Sequence, residues 1–476
     1  MNSERASVAI VGGGITGLTA GFRLQQRGVP VTIYEASSRV GGVIQTLQQD
    51  GYLAEFGPNT ILETSPKIAA LIRDLGLEGQ KLYSDPRADK RYIVRGKRPV
   101  PLPGSPAAFF STPLFSLGAK LRLLAEPFIP RARAEVEENL EQFVLRRIGR
   151  EFLDYAINPF VAGVYAGDPA RLSVKQAFPK LHALEQRYGS LIKGQILGAR
   201  ERRRRAEVSK QNAPKVSFAG GLQTLTDALR ARLGEAIRLG AAVVRLRKAE
   251  AGWLVTARQG EREQAVEHAA VLLAAPAYRL AELRVQSEPP IDLSVLGEIR
   301  YPPVSSVVLG FRREDVAHPL DGFGMLIPQV EGFSILGTIF SSALFPNRAP
   351  AGYVTLTSYL GGTRAPDLAL GSEGQVIDLT VRDLRTILGV RGHPTFQHRV
   401  LYPKAIPQYE VGYGRFKDFM AEVETQAPGL FFAGHYRDGI SLGDSICSGH
   451  DVAERIEHYV ATAHPASAGT GVLANR

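Results

Sequence analysis

Val8-Ala-Ile-Val11 followed at once by Gly12-Gly13-Gly14-Ile15-Thr16-Gly17 decides how this chain folds. The four apolar residues read as a buried strand, and Leu18 to Gly28 reads as a helix. Val31 to Tyr34 is a second strand that ends on Glu35. Strand, glycine turn, helix and strand make a βαβ unit with G-x-G-x-x-G on its first turn and an acid closing its second strand. Each part has a physical task. Gly12 permits the tight turn, Gly14 lets backbone approach a pyrophosphate, and Gly17 lets helix and strand pack closely. The helix N-terminus offers free N–H groups and a positive dipole end to an anion, with Ile15 and Thr16 in the turn that leads into it among the residues placed at the cofactor. Glu35, next to Ala36, can accept hydrogen bonds from a ribose. The unit predicts an α/β chain with a Rossmann-like dinucleotide-binding domain.

Glu35-Ala36-Ser-Ser-Arg39-Val-Gly41-Gly42 and Gly57-Pro58-Asn59-Thr60 come next. This run resembles the extended N-terminal signature of the amine-oxidase/phytoene-desaturase flavoprotein superfamily. The resemblance implies FAD rather than NAD, with Arg39 and Gly42 reaching its phosphates and Gly57 to Thr60 lying beside the flavin.

The chain has 476 residues, 44% hydrophobic and 22% charged, which suits two or three globular units. A single cysteine, Cys447, excludes an internal disulfide framework and a cysteine-rich metal site. It suits a reducing, cytoplasmic setting. Residues 1–7 lack the apolar stretch of a signal peptide, and no window approaches the ~18 uninterrupted apolar residues of a membrane span. The net charge of +10 is dispersed, which argues against nucleic acid. Its one dense run, Arg202 to Arg205, reads first as a solvated helix face, with contact to anionic lipid headgroups or steering of an acidic substrate as the alternatives.

Composition shifts along the chain predict discontinuous domains. Residues 1–80, 213–290 and 425–462 are assigned to the FAD-binding domain, because the first βαβ unit needs later strands such as Val271–Ala275 and Leu430–Gly434 to complete its sheet. Residues 81–95 and 291–424 hold β-type runs, Ser305–Phe311, Gly322–Ile327, Tyr353–Leu360 and His398–Tyr402, and are assigned to a mixed-sheet substrate-binding domain. Residues 96–212 read as a helical insertion, opened by a proline-broken apolar stretch that suits the surface of an anionic membrane. A helix is expected from about Gly449 to Ala461, and residues 463–476 read as a disordered tail.

Three further strings narrow the resemblance: Ala162-Gly-Val-Tyr-Ala-Gly167-Asp-Pro-Ala-Arg-Leu172-Ser, Ala405-Ile-Pro-Gln408-Tyr409, and Asp438-Gly439-Ile440-Ser441-Leu442-Gly-Asp444-Ser. With the N-terminal signature they resemble the protoporphyrinogen oxidase family, oxygen-dependent FAD enzymes of haem and chlorophyll synthesis, over about residues 6–460. The resemblance implies that Val244 holds the adenine through its backbone and that Tyr402 lies near the flavin, where the family commonly has tryptophan. It places Gly434, Ile440, Ser441 and Leu442 along the cofactor. The helix near Gly449 would aim its N-terminus at the flavin ring. Non-covalent FAD follows, since Cys447 does not match an attachment cysteine.

The implied substrate is an apolar tetrapyrrole macrocycle with two propionates, which needs a large apolar slot with cations at its rim. By resemblance Arg91 binds a propionate, Phe323 and Leu326 sandwich a pyrrole ring, Gly167 lies beside the macrocycle, and Tyr359 brings a hydroxyl to an apolar position. The resemblance further implies that the flavin carries the chemistry by taking hydride from a methylene bridge, with O2 as the acceptor and H2O2 as the product. No catalytic side chain and no metal site is assigned; the nine histidines are scattered. A peripheral position on the inner face of the cell membrane and a homodimer are compatible with this reading. Three other readings stay open: a coproporphyrinogen III oxidase, an amine oxidase, and a non-catalytic porphyrin-binding flavoprotein.

Overall fold

The computed structural model describes residues 7–132, 136–198 and 213–463. The Arg202–Arg205 run and the tail beyond Ala463 lie outside the described residues. A five-stranded parallel sheet sits at the centre of one half of the fold. Its strands run Ile237–Leu239, Val31–Glu35, Val8–Val11, Ala270–Leu273, Leu430–Phe432. Three distant stretches of chain thus share one sheet, and each of its neighbouring strand pairs is parallel. Val8–Val11 lies in the middle and is buried along its whole length, as an apolar strand covered on both faces must be.

The first helix spans Ile15–Gln26, three residues earlier than its apolar pattern suggests, because Gly14 serves as its N-cap. The last helix differs more. It spans Leu442–Ala463, so Gly449 is an interior residue and not the start. Ser441 caps it reciprocally: the Asp444 amide donates to Ser441 Oγ at 3.1 Å, and the Ser441 amide donates to Asp444 Oδ2 at 3.2 Å. A Cβ on Gly449 would lie 2.5 Å from the Thr16 carbonyl oxygen and 2.9 Å from Thr19 Cβ. That glycine is where the first and last helices approach, backbone against backbone.

A seven-stranded mixed sheet forms the second layer, in the order Phe396–Tyr402, Val304–Arg312, Tyr353–Gly361, Ile335–Ile339, Gly322–Leu326, Lys90–Arg95, Arg98–Pro101. The last strand corrects the expected start of the helical insertion at residue 96. Gly96 and Lys97, at φ +59° and +62°, form a two-residue hairpin turn that folds Arg98–Pro101 back onto Lys90–Arg95. Helices begin only at Pro106–Ser111 and Leu117–Leu124, capped by Ser105 and Ser116. One face of the sheet, with Tyr92, Val94, Met325, Leu356 and Leu360, packs on the helix Glu373–Leu388. The opposite face is left for the site.

Candidate functional site

The glycine turn behaves as its spacing requires. Gly12 has φ +111°, and a Cβ there would lie 2.8 Å from the Ala275 amide. A Cβ on Gly17 would lie 2.0 Å from the Gly12 carbonyl oxygen, so a side chain would force helix and turn apart. At Gly14 no atom comes within 4 Å of where a Cβ would stand, which leaves room beside the backbone for a phosphate. Gly42, at φ +58°, brings the second glycine pair to within 3.6 Å of Gly14 Cα by the same measure. The Gly41 amide donates to the Gly13 carbonyl at 2.8 Å, which joins the two loops into one cradle. Arg39 holds that cradle's outer loop by donating to the carbonyls of Val40 at 3.1 Å, Gly42 at 2.5 Å and Ile44 at 3.2 Å.

Glu35 closes the second strand beside the cradle. Its Oε2 accepts from the Gly13 amide at 2.7 Å, and its Oε1 accepts from the Ser37 amide and hydroxyl at 2.8 and 2.7 Å. The carboxylate is thereby pinned next to exposed Ala36. Val244 is the extra residue of a β-bulge between Val243 and Arg245, so its backbone stands outside the ladder with Gly252–Gln259. Free backbone of this kind is what an adenine edge can use.

The C-terminal motif meets the first helix on the other side. Thr16 Oγ1 donates to the Ser445 carbonyl at 3.2 Å. Gly434, at φ +126°, donates its amide to Ser448 Oγ at 2.9 Å, and Ser448 Oγ donates to Asp438 Oδ2 at 2.5 Å. Ser448 and Asp438 therefore set the path of the chain that carries Ile440, Ser441 and Leu442. Sequence reading quoted Asp438 only within its motif and gave Ser448 no part, since a serine gives no signal until its partner is known. Cys447 sits on the same helix, and burial pushes its thiol pKa up.

Alternate residues of Phe396–Tyr402 build a ladder onto the Gly57 motif. Phe396 stacks on Tyr52 at 4.8 Å, and His398 stacks on Phe56 at 4.4 Å. Tyr402 then comes level with Gly57, where a Cβ would lie 3.5 Å from its hydroxyl. Burial pushes the Tyr402 phenol up to about 12, so it stays protonated at neutral pH. Asn59 Nδ2 donates to the Tyr359 hydroxyl at 2.7 Å and thereby ties this motif to the seven-stranded sheet.

Strand register decides which of the residues expected to meet a substrate come together. Arg91 pairs with Gly324, Ile93 with Leu326, Leu326 with Gly337, Gly337 with Tyr359, and Val304 with Tyr402. Side chains in register or two apart share a face, so Arg91, Leu326, Tyr359 and Tyr402 all point away from the Glu373–Leu388 helix. Leu326 is wedged between two glycines: a Cβ on Gly163 or Gly337 would lie 2.3 or 3.2 Å from its Cδ2. Phe323 is the extra residue of a bulge between Gly322 and Gly324 and packs separately, with Ala88, Leu344 and Phe345. Gly167 is buried where a Cβ would lie 2.6 Å from Gln408 Oε1, so it packs against the Gln408 segment. Sequence reading missed Gly163, Gly337 and Lys215. Lys215 is held below its usual pKa by burial and by the neighbouring charge of Arg91, which places a second cation close to the first.

Among the described residues one group of metal-ligating type gathers, His450, Asp451 and Glu454 on the last helix. Its carboxylates are already engaged in ion pairs with Lys67 and Arg27.

Comparison with known proteins fits this geometry. A family model described as flavin containing amine oxidoreductase matches residues 15–457. The mitochondrial protoporphyrinogen oxidase of Nicotiana tabacum is 35% identical, over 96% of this chain and 96% of its own. The coproporphyrinogen III oxidase of Bacillus subtilis is 29% identical, over 94% of this chain and 97% of its own. A solved structure from Exiguobacterium sp. 255-15 superposes with a TM-score of 0.80 at 24% identity, covering 96% of this chain and 99% of that one.

Proposed function

We propose a substrate and a reaction from one premise: the chain belongs to the flavin-containing amine oxidoreductases, in the group that holds protoporphyrinogen oxidases and coproporphyrinogen III oxidases. It is an FAD-dependent oxidoreductase of the porphyrinogen-oxidising type. The substrate is protoporphyrinogen IX, which loses six electrons and six protons to become protoporphyrin IX, while three O2 become three H2O2. The reaction is a step of haem synthesis. Bound FAD supplies the two-electron acceptor for each of three successive oxidations. The chain's residues do the rest. Gly12 to Gly17, Gly42 and Glu35 hold the dinucleotide, Gly57 to Thr60 and Tyr402 flank its ring, and the sheet face orients the macrocycle and excludes water. The observation that carries this reading is the shared face of Arg91, Leu326, Tyr359 and Tyr402, joined to the cofactor segment through Asn59. An apolar ring with a carboxylate at its edge fits such a face, with the Arg91 guanidinium taking the carboxylate in a paired fork.

The segments 1–80, 213–290 and 425–462 serve as the FAD domain in this reading, with 81–101 and 291–424 as the substrate domain. Coproporphyrinogen III, which carries four propionates, is the second reading, and Lys215 beside Arg91 is the observation that favours it. Porphyrin fluorescence appearing under air from each porphyrinogen supplied separately is the test. Turnover of protoporphyrinogen is expected to dominate. Fluorescence from coproporphyrinogen alone would replace the first reading by the second.

Two further results are expected. FAD should leave the protein on acid precipitation, and Glu35→Ala should weaken FAD binding by about 1–3 kcal/mol, the worth of a charged hydrogen bond. Flavin left in the pellet, or FMN in the supernatant, would contradict this. The helices Pro106–Ser111 and Leu117–Leu124 and the helical turn Glu126–Phe128 after them present Phe110, Leu117 (72% exposed), Leu121, Leu124 and Phe128 (86% exposed) to solvent. Leu117, Leu121 and Leu124 are spaced to form one helical stripe, a surface suited to the acyl boundary of an anionic bilayer. No helix among the described residues is long and apolar enough to cross one. Flotation with anionic liposomes should recover the protein with lipid, and Leu117→Glu with Leu121→Glu should leave it behind. Equal recovery of both proteins would rule the stripe out as the contact.

A further inference from the structure

Asn59 and Tyr359 reach each other from different parts of the fold and close a polar triangle with the Gly57 carbonyl. Asn59 Nδ2 donates to the Tyr359 hydroxyl at 2.7 Å and to the Gly57 carbonyl at 3.3 Å, and the Tyr359 hydroxyl donates to that carbonyl at 3.4 Å. The carbonyl can only accept, and Tyr359 spends its one proton on it. The amide must therefore present its NH2 end to both, whichever way its two ends are first assigned. Turned over, Oδ1 would face the Gly57 carbonyl, acceptor against acceptor. With the NH2 end engaged, Oδ1 is left over. Among the described residues nothing donates to it, and it is not one of the enclosed unpartnered polar atoms. Asn59 is itself half-buried, beside the face that carries Leu326 and Tyr402.

We infer that Tyr359 is a positioning residue whose hydroxyl fixes Asn59 so that Oδ1 stands as a hydrogen-bond acceptor for a pyrrole N–H of the reduced macrocycle. This rests on the porphyrinogen reading. A porphyrinogen carries four inward N–H donors, and an apolar slot would leave them unpaired at a cost. One acceptor at Asn59 satisfies a donor and fixes how the ring is rotated against the cofactor. The same contact separates substrate from product. In the oxidised porphyrin two of the four nitrogens have lost their hydrogen and offer lone pairs, which a fixed carbonyl oxygen repels. An amide free to turn would instead offer NH2 to those nitrogens. Tyr359 thus biases the slot toward the reduced ring and helps the oxidised ring to leave.

The test compares Tyr359→Phe, Asn59→Ala and the double variant with the unaltered holoenzyme, each checked for bound FAD by its absorbance. KM is measured for protoporphyrinogen IX, and the inhibition constant Ki is measured for added protoporphyrin IX. Tyr359→Phe should raise KM about 3- to 10-fold, as expected for one lost hydrogen bond, while Ki stays level or falls. The ratio of Ki to KM should therefore drop about 3- to 10-fold. Asn59→Ala should lower the same ratio, and adding Tyr359→Phe to it should change nothing more, because Tyr359 acts through Asn59. KM and Ki rising together would mark a packing defect and overturn the assignment, as would an unchanged KM or a full Tyr359 effect without Asn59. If Tyr359→Phe does not retain FAD, an unchanged ratio in Asn59→Ala alone overturns it. An unaltered protein that oxidises no porphyrinogen would defeat the proposed function first, and this inference with it.

Discussion

Replacing Arg91 with alanine should raise KM for protoporphyrinogen roughly 5- to 150-fold, the range spanned by loss of a partly buried charged hydrogen bond, while the flavin spectrum stays unchanged. Arg91 stands on the strand Lys90–Arg95, in register with Gly324 and two residues from Ile93, which faces Leu326. Burial pulls its guanidinium below its usual pKa, though it remains a cation at any working pH. A half-buried cation at the rim of an apolar face gains from a carboxylate brought by the ligand, and less from water. The carboxylate lies away from the carbon that reacts, so its contact is alike in ground and transition states. Loss of the contact then appears in KM and not in kcat. Arg91→Lys should recover only part, since an ammonium cannot make the paired fork. An unchanged KM in Arg91→Ala would place the propionate elsewhere, with Lys215 as the next position to test. A fall in kcat alone would give Arg91 a part in orienting the reacting bridge.

The residues behind this expectation were legible in the sequence to different degrees, for physical reasons. The βαβ unit was plain because its signal is local: an apolar run, glycines at fixed offsets and an acid all fall within Val8 to Glu35. The strands Val304–Arg312 and Tyr353–Gly361 were legible from their β-branched and aromatic runs. The strand Arg262–His268 was not, since Arg-Glu-Gln-Ala-Val-Glu-His is polar and nearly all exposed, and only its partner Gly252–Gln259 makes it a strand. The strand Ile335–Ile339 was hidden by Gly337, whose lack of a side chain accommodates Leu326. The last helix was placed too late because Ser441 to Gly449 is dense in glycine and serine and reads as loop. Those small residues let its first turns lie against Thr16 and Thr19, a reason that only the packed first helix reveals. The site followed the same rule. Motif residues could be named from spacing, whereas Gly163, Ser448 and Lys215 matter through neighbours far away in the chain.

Arg147→Ala should be among the most destabilising single changes in the molecule, by about 3–5 kcal/mol, because it strands the buried Glu126 carboxylate without its cation and leaves Glu185 paired with Arg146 alone. Arg147 and Glu126 are both fully buried, and Glu185 is 1% exposed. Arg147 Nε donates to Glu185 at 2.7 Å, Nη1 donates to Glu126 at 3.0 Å and to the Ile129 carbonyl at 2.9 Å, and Nη2 donates to the Gly189 carbonyl at 2.9 Å. Glu126 in turn accepts from the Leu191 amide at 2.9 Å and from the Ser190 hydroxyl at 2.5 Å. The cluster therefore ties Leu140–Arg147, Pro179–Tyr188 and Leu191–Leu197 to the segment that carries Phe128. Truncation should open this helical part before the two sheets. Limited proteolysis should cut Arg147→Ala within 102–198 at temperatures where the unaltered protein is intact, and liposome recovery should fall although no exposed residue has changed. Acid should weaken the same cluster. Burial alone would raise the Glu185 carboxyl, but Arg146 and Arg147 outweigh it and hold the group below its ordinary value. A carboxylate whose pKa is depressed on folding contributes stability that is complete above its unfolded pKa, about 4.3, and that is lost as pH falls through the lower folded value. The unaltered protein should thus keep its protease resistance from pH 7 down to about pH 5 and lose it below about pH 4. Arg147→Ala should be cut across that whole range. Equal resistance of the two proteins at neutral pH would show that water enters and solvates the carboxylates once the guanidinium is gone, and the cluster would then be an anchor only in name.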